Sequence, residues 1–147
     1  MPEQLAREAK LITPKKAFIA IAILLALIAT PQFVYLFEQT HYSDKAFTAF
    51  SEALIARDYA RAYNLTSSEF QSAISESTFA RQQAALCSNL GALKKVRRGS
   101  FETEEHGGVW STDLTAYFHF EHGDRQFDFS MKKQATIWKV YGYKERD

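Results

Sequence analysis

VWSTDLTAYFHFEHGDRQFDFSM, running from Val109 to Met131, is the stretch from which the fold is read. Trp110, Leu114, Ala116, Phe118 and Phe120 are apolar at even positions. Ser111, Asp113, Thr115, His119 and Glu121 stand on the other parity. A period of two predicts a strand over about 109–121 with one buried face. His122-Gly123-Asp124 has the chemistry of a tight turn. Phe127, Phe129 and Met131 then alternate with Gln126, Asp128 and Ser130, which predicts a second strand antiparallel to the first.

Working outward, Lys132 to Gln134 turns the chain again. Ala135 to Tyr143 is a last strand carrying Ile137, Trp138, Val140 and Tyr141. Upstream, His106-Gly107-Gly108 is a turn, preceded by a basic-rich strand over roughly 93–104 with Val96 and Phe101. Connections this short force an antiparallel meander of four strands. A sheet with one apolar face needs a cover, and the segment before Gly91 supplies it.

That segment reads as helices. Ser43 is expected as an N-cap with Asp44 in the first turn. Phe47, Phe50 and Leu54 form one helical face ending near Arg57. Asp58 caps a second, short helix that places Tyr59 and Tyr63 on one side. Thr66-Ser67-Ser68-Glu69 has the pattern of a capping box and opens a helical turn through Ile74. A third helix begins at Ser75 or Ser77, buries Phe79, Leu86 and Leu90, and stops at Gly91.

AFIAIAILLALIATPQFVYLF, Ala17 to Phe37, has no charged residue and follows Lys15 and Lys16. As a helix it spans roughly 30 Å, the thickness of a bilayer's hydrocarbon core. A cleaved signal peptide would want small residues before its cleavage point, and Leu27 and Pro31 suit that poorly. The stretch is expected to be an uncleaved transmembrane anchor, with Pro31 kinking it or marking an earlier end. Arg7, Lys10, Lys15 and Lys16 precede it, whereas Lys45 is the first basic residue after it. The positive-inside rule then puts residues 1–16 in the cytoplasm and the C-terminal domain outside, at a bacterial inner membrane. Residues 38–44 link the anchor to a domain over 45–147, or extend the helix. The class is α+β: an N-terminal transmembrane helix, then three helices packed on a curved four-stranded antiparallel sheet.

Composition narrows the function. The first 37 residues hold four of the 18 basic and two of the 17 acidic side chains, which leaves the domain near neutral. No electrostatic case for nucleic acid exists. Cys87 is the only cysteine, so no internal disulfide and no ordinary Cys/His zinc site is expected, nor any cofactor.

The Phe-bearing first helix, the run Arg57-Asp58-Tyr59-Ala60-Arg61-Ala62-Tyr63, the Phe79 helix ending at Leu90-Gly91 and the closing Trp138-Lys139-Val140-Tyr141-Gly142-Tyr143 together resemble the nuclear transport factor 2-like superfamily, the cystatin-like α+β cone. The resemblance covers about 45–144. It implies a cone whose mouth, if hollow, would be lined by Tyr59, Tyr63, Phe118, Phe129 and Trp138. Aromatic filling equally allows no cavity. It also implies small membrane-anchored bacterial families without an assigned activity. The fold hosts both enzymes and binding modules, so it does not choose a function.

Isomerases and dehydratases of this fold need a carboxylate in an apolar cavity facing a donor such as Tyr59 or Tyr63. Asp113 and Asp128 are the strand carboxylates available, and both fall on the polar parity. Asp113 and His119 lie roughly 20 Å apart along one strand and cannot share a metal ion. Lys94, Lys95, Arg97 and Arg98 are the densest basic cluster. With Tyr117 they form the candidate surface for a protein partner, although basic side chains on an edge strand also discourage pairing. The expectation is a membrane-held, non-catalytic binding or scaffold domain that meets lipid through 17–37. The alternatives are a small isomerase- or dehydratase-like enzyme and a homodimeric module.

Overall fold

The computed structural model describes residues 14–146; the expected tail, up to residue 13, lies outside them. Four helices precede four strands. They are α1 (Pro14–Ile55), α2 (Tyr59–Asn64), α3 (Ser68–Ala73), α4 (Glu76–Leu90), β1 (Leu93–His106), β2 (Val109–Phe120), β3 (Gly123–Gln134) and β4 (Ile137–Glu145). The chain divides into two compact units at Phe37 and Glu38.

In the first unit α1 runs through Pro31 without ending. Among the described side chains no helix is long and apolar enough to cross a membrane. The side chains of residues 14–18, 20, 24 and 27–30 fall outside that described set.

In the second unit the helix is already formed at Glu38, so residues 38–44 are helical. Ser43 is therefore not an N-cap. It is buried inside α1, and its Oγ donates to Thr40 O at 2.9 Å. The reason is spacing: Ser43 and Gln39 continue the buried face of Phe47, Phe50 and Leu54 one and two turns upstream. Arg57 closes α1 at φ 59, with Asp58 N donating to Ala53 O at 2.9 Å. This left-handed ending is usually taken by glycine.

The short helices start where side-chain oxygens meet free amides. Asp58 Oδ1 accepts from Arg61 N at 3.1 Å. Ser67 Oγ accepts from Phe70 N at 3.1 Å, one residue later than the capping box implied. Thr66 Oγ1 donates back to Tyr63 O, and Glu69 turns to Gln134 instead of closing the box. Ser75 caps α4, and Gly91 ends it at φ 79. A Cβ on Gly91 would stand 2.6 Å from Glu121 Cβ, so both backbone angle and space require glycine there.

The strands form one antiparallel sheet in the order β1-β2-β3-β4. Register shifts fall between Leu93 and Lys95, between Arg98 and Phe101, and between Ser130 and Met131. Such bulges bend strands and deepen twist. Leu114, Ala116, Phe118, Phe120, Phe127, Phe129, Met131, Trp138 and Val140 bury one face of the sheet in a core shared with Phe47, Phe50, Phe70 and Phe79. The β4 edge is met at Val140, whose N–H donates to Leu65 O and whose carbonyl accepts from Ser67 N.

Candidate functional site

The interior between the helices and the sheet is aromatic. The Phe129 ring lies 5.2 Å from Phe47, 5.2 Å from Tyr143, and 5.9 Å from both Phe50 and Phe118. Phe79 lies 5.9 Å from Tyr63 and 6.0 Å from Phe70. Rings at these separations fill space with one another. Phe118, Phe129 and Trp138 are buried in that packing. Tyr63 packs at its margin and donates from its hydroxyl to Ile74 O at 2.7 Å. Tyr59 also packs against the core, at its edge. It lines a shallow depression with Arg57, Ala84, Cys87 and Ser88, and its hydroxyl stands 3.8 Å from Cys87 Sγ. Burial, then the bond to Cys87, raises the Tyr59 pKa. Of the five residues expected around a cone mouth, Phe118, Phe129 and Trp138 are buried in the core, and Tyr59 and Tyr63 pack against it.

One polar pair enters this interior and was not singled out from sequence. Gln83 is buried on α4 and its Nε2 donates to Tyr143 Oη at 2.6 Å. Burial pushes the Tyr143 phenol up to about 12. The signal was present in the spacing. Gln83 lies four residues after Phe79 and three before Leu86, on the face read as buried.

The other face of the sheet is polar and carries the remaining candidates. Arg97 lies over the Tyr117 ring at 4.5 Å from its centroid. Gly99 makes room for that ring, since a Cβ there would meet it at 2.8 Å. Lys95 pairs with His119 in register, and His119 Nδ1 lies 3.0 Å from Asp124 Oδ1. Arg98 has the opposite parity and turns to the helix side, where it pairs with Asp44. Lys94, at the first bulge, pairs with Glu121 at 2.6 Å. Strand alternation and bulging thus separate the basic cluster: Lys95 and Arg97 join Tyr117, while Lys94 and Arg98 go elsewhere. The Lys94 ammonium, with Ala92 N–H, holds the Glu121 carboxyl down at about 2.

Beside this patch lies a depression of about 450 Å³ lined by residues including Ser100, Glu102, Asp113, Thr115, Asp128 and Arg146. Asp128 is paired with Arg146 at 2.9 Å, and Asp113 accepts from Ser130 Oγ. Both carboxylates are on the outer face, away from the aromatic interior. Among the described residues no group of three or more metal-ligating side chains comes together.

No protein-family model and no curated protein matches the chain. Among solved structures, the chain is similar to one from Campylobacter jejuni described as an NTF2-like transpeptidase, at 15% identity and a TM-score of 0.48, covering 63% of this chain and 91% of that one. At that identity and score it brings no residue role or activity to this chain.

Proposed function

We propose that the chain is a single-pass, membrane-anchored protein whose C-terminal nuclear transport factor 2-like domain binds a partner without catalysis, outside the cytoplasmic membrane. The carrying observation is α1. It exposes Ile19, Leu25, Phe33 and Phe37 at 59%, 61%, 72% and 68%, on a helix whose stretch 17–37 has no charge. Apolar area removed from water is worth about 25 cal/mol per Å². Exposed apolar side chains on an uncharged helix favour lipid over water, which supports an anchor, and Tyr35 with Phe33 and Phe37 suits the headgroup level.

The non-catalytic reading is supported by where the carboxylates fall. Proton transfer beside a carbonyl wants a desolvated carboxylate facing an oxyanion donor. Asp113 is exposed and Asp128 is engaged by Arg146. The tyrosines offered as donors lie among the helices and the aromatic core instead. The polar outer face, with Arg97 over Tyr117, suits recognition, since arginine and tyrosine are enriched at protein interfaces.

Membrane fractionation with an alkaline wash tests the anchor: the full chain stays with the membrane, and Ile21→Lys with Leu25→Lys releases it. A periplasm-only reporter fused after Asp147 tests direction and is active. A chain washed off at alkaline pH, or a fusion active only with a cytoplasmic reporter, would overturn the respective half of the reading.

A further inference from the structure

β1 is an edge of the sheet, and its charges are divided along its length. Lys94, Lys95, Arg97 and Arg98 occupy the first half; Glu102, Glu104 and Glu105 occupy the second. Gly99 and Ser100 lie between them. The other edge, β4, is met by Leu65 and Ser67 at Val140. Among the described residues, residues 94–105 make backbone hydrogen bonds to no element but β2. An open edge is a template for another strand.

We propose that β1 pairs antiparallel with β1 of a second copy of this chain, about a two-fold axis at Gly99 and Ser100. In that register Lys95 stands opposite the partner's Glu104, and Arg97 stands opposite the partner's Glu102. Symmetry makes each pair twice, as in any isologous dimer. Main-chain bonds supply the association and the charges fix the register.

The bulge in β1 makes this register possible. From Arg98 to Phe101 β1 advances three residues, while β2 goes from Ala116 to Leu114. Without the extra residue, an odd and an even position would lie on opposite faces of the sheet. With it, Lys95 and Arg97 share the outer face with His119 and Tyr117, and Glu102 and Glu104 share the same face with Asp113 and Ser111. An axis normal to the sheet then sets unlike charges side by side. Lys95 and Glu102 have no ion pair among the described residues. Arg97 rests on Tyr117, and Glu104 meets His106 Nε2 at 3.0 Å on an exposed hairpin. A strand basic in one half and acidic in the other repels a uniformly charged strand at one end, yet complements its own reverse.

This inference goes beyond membrane anchoring and is read by a separate measurement. The full chain in detergent micelles, with Cys87→Ser, is followed by sedimentation equilibrium and is expected to dimerise. Lys95→Glu and Glu104→Lys each replace two attractions by two repulsions, and each weakens association roughly tenfold or more. An equal mixture of the two variants recovers it, because the mixed pair restores both unlike contacts. Ser100→Cys, beside the axis, forms a disulfide-linked dimer on mild oxidation, while Ser77→Cys on α4 does not. A chain that is monomeric throughout, a dimer indifferent to both single reversals, a mixture that fails to recover, or no disulfide at Ser100→Cys overturns the pairing.

Discussion

Phe129→Ala removes the ring at the centre of the cone, which lies 5.2 Å from Phe47 and from Tyr143 and 5.9 Å from Phe50 and Phe118. Its side chain is 2% exposed, so nearly all of its apolar area returns to a cavity and not to solvent. Truncating a buried phenylalanine costs about 3–5 kcal/mol, and the cost rises where neighbours cannot collapse. Each aromatic pair adds about 0.5–1.5 kcal/mol beyond area, which places this site at the upper end of that range. Domains of this size are stable by about 5–15 kcal/mol, so the variant sits close to unfolding. Urea denaturation of the full chain in micelles, followed by Trp110 and Trp138 fluorescence, reads the loss. Tyr117→Ala on the outer face serves as the comparison. A loss at Phe129 under about 1.5 kcal/mol, no larger than that at Tyr117, would mean that the ring borders open space and the cone is hollow.

Gly91→Ala is expected to destabilise by about 1–3 kcal/mol, because a Cβ meets Glu121 at a positive φ; thermal denaturation checks it. Arg57→Gly relieves a left-handed non-glycine ending of α1 and is expected to raise stability by up to about 1 kcal/mol in the same assay. Glu121 has its folded pKa depressed from 4.5 to about 2, so its contribution is complete above pH 4.5 and is lost as pH falls toward 2. Lys94→Met is expected to move that carboxyl back up, read by carboxyl NMR titration; an unmoved Glu121 would show that Lys94 is not the cause. Tyr143 has its folded pKa raised from 10.0 to about 12, so its contribution is present below pH 10 and is lost as pH rises through 12. Tyr143→Phe is expected to flatten alkaline unfolding in that window, by circular dichroism.

The strands were legible because β2 and β3 alternate over most of their length, and a half-buried strand has no other period. The ends of the short helices were legible because Asp58, Ser67 and Ser75 carry the oxygen that a free helix amide needs. Ser43 misled for the same reason. It is a good cap by type, but Gln39 and Ser43 are buried on the face that Phe47 continues, and packing overrides cap preference. The basic cluster was a feature of sequence proximity. Alternation sends Arg98 to Asp44 and Arg97 to Tyr117, and a bulge sends Lys94 to Glu121.

By itself, the sequence determined an uncharged stretch long enough for a bilayer, the four-strand meander, the helices that start at Asp58 and Ser75 and the polar parity of Asp113 and Asp128. These follow from local periodicity and composition, which are carried by neighbouring residues. Only the tertiary structure decided that the aromatic residues of helices and sheet pack on one another, that Gln83 reaches Tyr143, and that β1 is an edge whose bulge brings its basic and acidic halves onto one face. Those depend on which distant segments share a layer and where a strand gains one residue. Neither is fixed by any local pattern.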